Sequence, residues 1–137
     1  MKYYYDGYWG VFFRRSIEAG TGPATLDSAV KPTDLELIGF GYSGHHSILN
    51  DIHSRNLADQ GPIPAGLYTF SGPFTDPKRG PQCWRLEPAP TNRMFGRCAF
   101  MNHGDTAAMA HNASDGCIIS PHWVRSLWTD GDTLEVL

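Results

Sequence analysis

The stretch GPIPAGLYTFSGPF, residues 61–74, decides what kind of fold the chain can adopt. Pro62 and Pro64 lack the backbone N–H that a helix interior needs, and their rings clash with the preceding turn, so no helix runs through this segment. The letters LYTFSG that follow are typical of a strand. The stretch therefore predicts a strand after the prolines and no helix.

The same pattern of short strands between turn residues recurs along the chain. The sequence contains 15 glycines and 10 prolines, which favour many turns over long helices. Further strand-like segments are YYYDGYWGVFFRRSIEA with a turn at Asp6-Gly7, TDLELIGFGYSG, CWRLEPAP, RCAFMNH and DGDTLEVL. They predict a mainly β fold, a β-sandwich or β-barrel, in one domain that spans all 137 residues, 1–137.

One or two short helices complete the predicted fold. The polar segment HHSILNDIHSRNLADQ, residues 45–60, has room for one helical turn. The segment SPHWVRSLWT predicts a short helix with Ser120 as its N-cap and Pro121 at its first position. Val124, Leu127 and Trp128 then fall on one face of that helix.

Charge and hydropathy exclude two classes of partner. The net charge of −3 and the absence of any lysine or arginine cluster argue against nucleic-acid binding, which needs a basic surface. No apolar run approaches the roughly 18 residues that a membrane span needs. The opening residues are interrupted by Asp6 and Gly7 and are followed by no small-residue cleavage site, so we expect no signal peptide.

The cysteines and histidines suggest no metal site. Cys83, Cys98 and Cys117 include no CxxC pair, and the six histidines include no His-x-x-x-His pair. If their segments are neighbouring strands, Cys83 and Cys98 can form a disulfide bond; alternatively, both are reduced and buried. We predict no metal and no other cofactor.

The segment NHGDTAAMAHNASDGCII, residues 102–119, contains the candidate nucleophile. A thiol with an ordinary pKa of about 8.5 needs a neighbouring base or cation to act as a thiolate at neutral pH. His103, at the end of a strand-like segment, is the first candidate base for Cys117, and His111 is the alternative. Gly116 permits a sharp turn, and Ser114 adds a hydroxyl donor for a developing oxyanion. The alternative is that Asp-Gly forms only a turn here.

Four motifs in a fixed order resemble one enzyme family. They are GYSGHHSILN at 41–50, GPIPAGLYTF at 61–70, FGRCAFMNHGD at 95–105 and ASDGCII at 113–119. Together they resemble the L,D-transpeptidase superfamily, and most closely the L,D-transpeptidase effectors of type VI secretion. The resemblance runs from about residue 35 to the end of the chain. It implies that Cys117 is the nucleophile, His103 the base, and Gly116 and Ser114 the oxyanion side. It also implies that the position after the histidine, Gly104, helps to orient the imidazole through its carbonyl.

The resemblance further implies a peptidoglycan stem peptide as substrate. In this family the cysteine attacks the carbonyl at the L-centre of meso-diaminopimelate and releases D-Ala, and the thioester passes to water or an amine. Candidate substrate contacts are Tyr42, Ser43, Asp105, Arg97 and His111; Asp105 is alternatively a turn cap, and Arg97 alternatively an ion-pair partner. Asp115 replaces the histidine usual before Gly-Cys in the cell-wall-anchored branch, which argues against cross-linking of large strands.

The resemblance also implies a place of action and a partner. An effector of this kind is delivered by a secretion machine and acts in the periplasm of a target bacterium, so a cognate immunity protein is expected. Two alternatives remain at this point. One is a cell-wall-binding module without catalysis, and the other is a structural piece of a phage or secretion apparatus in which Cys117 is buried.

Overall fold

The computed structural model describes residues 1–15, 35–105 and 116–137. Its strands, in chain order, are β1 (Lys2–Asp6), β2 (Val11–Arg15), β3 (Leu35–Phe40), β4 (Tyr42–Ser43), β5 (Gly66–Asp76), β6 (Gly80–Pro88), β7 (Met101–His103), β8 (Ile118–Ile119) and β9 (Thr133–Val136). One α-helix, α1 (His122–Arg125), lies between β8 and β9, and two 3₁₀ turns lie at His46–Ile48 and Ile52–Ser54.

All nine of these strands belong to one sheet, in the order β3-β2-β1-β9-β5-β6-β7-β8-β4. The pairs β1–β9 and β7–β8 are parallel, and the other neighbours are antiparallel. The two edge strands, β3 and β4, are separated in the chain by Gly41 alone, so the sheet must curl until its edges approach each other. The predicted mainly β fold is confirmed, and within the described residues the curled sheet is not a closed barrel.

The concave side of the sheet encloses an aromatic core. Phe70 on the long strand β5 stacks on Trp128, with ring centroids 4.8 Å apart and an interplanar angle of 17°. Tyr3 meets the same indole edge-on at 4.7 Å. Such aromatic pairs add about 0.5–1.5 kcal/mol each to the free energy gained from burying their surface. This core provides the rigid support against which β6, β7 and β8 are packed.

Helix α1 begins at His122, one residue later than predicted. Pro121 occupies the N-cap position and makes no side-chain capping bond. The prediction of Ser120 as the N-cap is wrong, because its buried hydroxyl accepts a hydrogen bond from Asn102 Nδ2 at 2.9 Å. Val124 and Trp128 are buried as predicted, whereas Leu127 is 39% exposed.

None of the three cysteines, all of which lie in the described ranges, forms a disulfide bond. Strands β6 and β7 are antiparallel neighbours, but their register pairs Trp84 with Asn102 and so brings Cys83 level with His103, not with Cys98. Cys98 is exposed and Cys83 is buried. The alternative of two reduced thiols therefore describes the structure, although only one of the two is buried.

Candidate active site

The parallel pair β7–β8 brings the strand that ends at His103 beside the strand that directly follows Cys117. Asn102 pairs with Ile118 and His103 with Ile119. Because side chains alternate along a strand, Asn102 and Ile118 share the core face, and His103 and Ile119 share the other. Cys117 directly precedes β8, in the bend that leads from Gly116 into Ile118. The parallel register thus places the backbone of His103 opposite Ile119, two residues after Cys117.

A buried amide fixes this register. Asn102 donates from Nδ2 to the Ile118 carbonyl at 2.9 Å and accepts from Trp128 Nε1 at 2.8 Å. Together with the bond to Ser120, these contacts give both N–H donors and the carbonyl oxygen of the amide a partner within the core. The sequence analysis did not single out Asn102. In the sequence, Asn102 is recognisable as a polar residue between the apolar pair Phe100-Met101 and the candidate base His103.

His103 has the geometry of a neutral base. Its ring is 2% exposed, and Nδ1 lies 2.9 Å from the Gly104 carbonyl, which can only accept a hydrogen bond. Nδ1 therefore carries the proton, and Nε2 has a lone pair. Within the described residues Nε2 is buried and has no hydrogen-bond partner. Burial lowers the pKa of His103, and the positive charges of Arg79 and Arg125 lower it further.

We expect the folded protein to lose stability as the pH falls below 6.5, the ordinary pKa of histidine, in part because folding keeps His103 neutral. In that range the unfolded chain binds a proton that the folded His103 does not, so the free energy of unfolding decreases until the lowered pKa is passed. Above 6.5 this contribution is fully present. Urea unfolding on either side of pH 6.5 should show a smaller pH dependence for His103→Gln than for the parent. An equal dependence in both would contradict the assignment.

Cys117 lines a cavity of about 290 Å³. Cys117 is 6% exposed, and Arg97 and Phe100 line the same cavity. Arg97 lies with its guanidinium 5.0 Å from the centre of the Phe100 ring, and its positive charge interacts with Cys117. A larger open cleft of about 580 Å³, beside Arg55 and Arg93, does not include Cys117 among its lining residues. The smaller cavity is therefore the one that fits chemistry at this thiol.

The turn before Cys117 requires glycine. Gly116 has φ +120°, a conformation that side chains rarely adopt. A Cβ at this position would overlap Nη2 of Arg97 and approach Phe100 Cε1 to 3.0 Å. The Gly116 carbonyl accepts a hydrogen bond from Ser43 Oγ at 3.0 Å, and Ser43 Oγ accepts one from the Ile63 amide at 2.8 Å. The Cys117 turn is thus fixed by the two upstream motifs.

Gly116→Ala should destabilise the protein by about 2 kcal/mol or more, because it adds an atomic overlap to a strained backbone. Gly131→Ala is the matched control, since Gly131 has φ +90° but no atom within 4 Å of an added Cβ. Urea unfolding of both variants separates the two effects. Equal destabilisation would mean that Arg97 does not confine the turn.

Ser43 and Arg97, both predicted to contact substrate, lie inside the protein. Ser43 is 0% exposed, and its hydroxyl group joins the two backbone groups described above. Arg97 is 8% exposed and donates to the carbonyls of Pro62 at 2.8 Å, Gly61 at 2.8 Å and Arg55 at 2.6 Å. Burial lowers the pKa of Arg97, and the charges of Tyr68 and Asp59 act in the opposite direction.

Tyr42 and Asp105 meet at the far edge of this face. Tyr42 on β4 pairs with Ile119, so its ring lies on the same face as His103. Its hydroxyl donates to Asp105 Oδ1 at 2.8 Å. Tyr42 is 7% exposed, and Asp105 is half-buried. The pair connects the YSG motif to the chain just after His103.

A second arginine, missed by the sequence analysis, supports the loop after His103. Arg125 on α1 is 5% exposed and donates from Nε to the Gln82 carbonyl at 2.9 Å. It also donates to the Ser120 carbonyl. Gly104 packs against this guanidinium, and an added Cβ would lie 3.1 Å from Nη1. A basic residue within the otherwise apolar face of a short helix was the available signal.

Two predicted site residues, Ser114 and His111, lie outside the described residues and stay predictions. Within the described ranges no group of three or more His, Cys, Asp and Glu side chains is placed to hold a metal ion. The helices in those ranges include none with the length and apolar character needed to cross a membrane.

Comparison with protein families assigns the chain. The comparisons with curated proteins and with solved structures gave no match. The model of the Tlde1 domain matches residues 39–127, which is well over half of the sequence and includes both His103 and Cys117. This family comprises type VI secretion L,D-transpeptidase effectors. The chain therefore belongs to the Tlde1 domain family.

Proposed function

We propose that the protein is a cysteine enzyme that removes, or exchanges, the terminal D-Ala of peptidoglycan stem tetrapeptides through a thioester on Cys117. The observation that carries this proposal is the state of His103. Its Nδ1 is bound to a carbonyl, its buried Nε2 has no hydrogen-bond partner in the described residues, and its strand pairs with the strand that directly follows Cys117. Family membership supports L,D-transpeptidase-type activity in general.

The first half of the reaction forms the thioester. His103 Nε2 takes the proton from Cys117 Sγ, and the thiolate attacks the carbonyl at the L-centre of diaminopimelate. The positive charge of Arg97 in the same cavity stabilises the thiolate. Backbone N–H groups at the Cys117 turn stabilise the oxyanion, in the conformation that Gly116 permits. The C–N bond then breaks, and D-Ala leaves with the proton from His103.

The second half of the reaction regenerates the thiol. Water or the amine of another D-amino acid attacks the thioester carbonyl while His103 Nε2 accepts a proton from the attacking group. The C–S bond breaks, and the proton returns to Sγ. Water gives the tripeptide, and an amine gives the exchanged tetrapeptide. Ser43 and Arg97 contribute by holding the Cys117 turn, and Tyr42 with Asp105 by holding the chain after His103.

The biological setting follows from the same proposal. A peptidoglycan enzyme of an effector family acts on the cell wall of a target bacterium, in the periplasm, and the producing cell needs an immunity protein. The family supports a secreted effector and a peptidoglycan substrate. We expect the protein to be toxic in the periplasm of the target cell because of the reaction above.

Mass spectrometry of a purified disaccharide-tetrapeptide incubated with the protein tests the proposal. We expect loss of the terminal D-Ala, or its replacement when a different D-amino acid is present in excess. Unchanged muropeptide in the presence of folded protein would contradict it. Muropeptide binding that survives loss of both Cys117 and His103 would then favour a binding module, a role with which the 6% exposure of Cys117 is compatible.

A further inference from the structure

A second arginine lines the cavity of Cys117. It lies on a turn that has no part in the mechanism above. The turn between β5 and β6 carries Arg79, whose side chain is 34% exposed and lines the cavity together with Cys117. The Asp76 carboxylate accepts the Lys78 and Arg79 amides at 2.9 and 3.0 Å, which fixes the turn. Arg79 is also close enough to His103 for its charge to affect the histidine.

The Arg79 guanidinium has its donors available. Its nearest carboxylate oxygen, on Asp76, is 3.7 Å from Nη1, and that oxygen already accepts two amides. Within the described part of the chain, the guanidinium makes no hydrogen bond. Arg97 in the same cavity differs, because its donors are directed at three backbone carbonyls. A partly exposed guanidinium beside a nucleophile is suited to bind a carboxylate in a two-point contact.

We propose that Arg79 binds the free carboxylate of the amino acid on the leaving side of the scissile bond. This inference rests on the proposed function and names the part of the substrate that the cavity recognises. In a stem tetrapeptide the leaving residue is D-Ala, and its carboxylate is attached to the carbon next to the departing nitrogen. Arg79 and Cys117 line the same cavity of about 290 Å³, so both can reach one bound amino acid.

The same contact sets which bonds and which acceptors the enzyme uses. A residue that must present a free carboxylate has to be the last in the stem, so Arg79 favours removal of terminal residues over cleavage within longer peptides. Exchange is the reverse of release, so an incoming D-amino acid places its own carboxylate on Arg79. Water needs no such contact. Loss of Arg79 should therefore impair exchange more than hydrolysis of an already formed thioester.

Steady-state kinetics on two substrates test this assignment. One substrate is the tetrapeptide with its terminal carboxylate, and the other carries a terminal D-alaninamide. For Arg79→Gln we expect kcat/KM on the acid to fall about tenfold or more, mainly through KM, and kcat/KM on the amide to change little. Arg79→Lys should recover part of the loss, because it restores the charge without the two-point geometry.

Lys78→Gln is the matched control. It removes the same charge from the neighbouring position on the same turn, and Lys78 is exposed and does not line the cavity. The substrate also has a carboxylate on the side chain of diaminopimelate. A tetrapeptide amidated at that group shows whether Arg79 binds it instead of the terminal carboxylate. The proposal is overturned if Arg79→Gln loses equally on acid and amide, if Lys78→Gln loses as much, or if only side-chain amidation removes the effect.

Binding measurements keep this test separate from that of the reaction. In the Cys117→Ala background no turnover is expected, and calorimetry measures affinity for the tetrapeptide and for its terminal amide. We expect the acid to bind about tenfold tighter, and the added Arg79→Gln substitution to remove that preference. Equal affinity for both ligands, or no binding of either, overturns the proposal. A parent protein that binds the acid in this way but never releases D-Ala would instead contradict the proposed reaction alone.

Discussion

Cys117→Ala abolishes release and exchange of D-Ala, with an expected loss of at least about a thousandfold in kcat, because it removes the thiol that is proposed to form the thioester. Cys98 also lines the cavity, so activity that survives in Cys117→Ala and disappears in Cys98→Ala would assign the nucleophile to Cys98. The structure supplies a demanding control. Cys83 lies level with His103 on the neighbouring strand and has the same chemistry. It is 0% exposed, its thiol donates to the Gly80 carbonyl at 3.2 Å, and burial raises its pKa.

Cys83→Ala should therefore retain most of the activity, since its thiol has neither the cavity nor the ionisation that attack requires. Both variants are compared by product analysis on the same tetrapeptide, after circular dichroism establishes that each is folded. Activity that survives in Cys117→Ala and disappears in Cys83→Ala would move the nucleophile from the turn before β8 to β6. Loss in both would mean that the face around His103 tolerates no change in packing.

His103→Gln should lower kcat/KM by about a hundredfold to ten-thousandfold, the usual contribution of a positioned base. Glutamine can keep a hydrogen bond to the Gly104 carbonyl but has no lone pair of comparable basicity. The acid limb of the parent pH profile, which the lowered pKa of His103 places below 6.5, should vanish in the variant. His122→Gln is the matched control, because His122 is exposed at the start of α1.

A second measurement separates chemistry from folding at this position. Urea unfolding gives the stability of His103→Gln, and iodoacetamide labelling gives the reactivity of Cys117. A stable variant whose labelling rate falls relative to the parent supports His103 as the base for this thiol. A stable variant with parental activity would exclude His103 and leave His111 as the remaining candidate of the sequence analysis.

The general fold could be predicted because its signals are local. The prolines of GPIPAG exclude a helix, and LYTFSG has strand character, which matches β5. The shortest strands could not be recognised in the same way. Strands β4 and β8 have two residues each, and only their pairing with distant partners defines them. The parallel contact of β1 with β9 likewise joins the two ends of the chain.

The site likewise has a part that local sequence predicts and a part that depends on tertiary contacts. Placing a histidine at the end of a strand and a cysteine after Gly116 required only residue types, and the parallel register puts the strand of His103 beside the strand that follows Cys117. The roles of Ser43 and Arg97 depend on tertiary burial, which turns polar groups that look like substrate contacts into supports for the turn. Ser120 shows the same effect, since a buried amide competes for its hydroxyl.

The Cys117 thioester is tested most directly by the mass of the intact protein, quenched in acid within seconds of mixing with the disaccharide-tetrapeptide. We predict an added mass equal to the substrate minus D-Ala, located on Cys117, present in Cys83→Ala and released by hydroxylamine as a thioester. If D-Ala is released while no such adduct forms, or if the adduct appears in Cys117→Ala, the Cys117 thioester is contradicted.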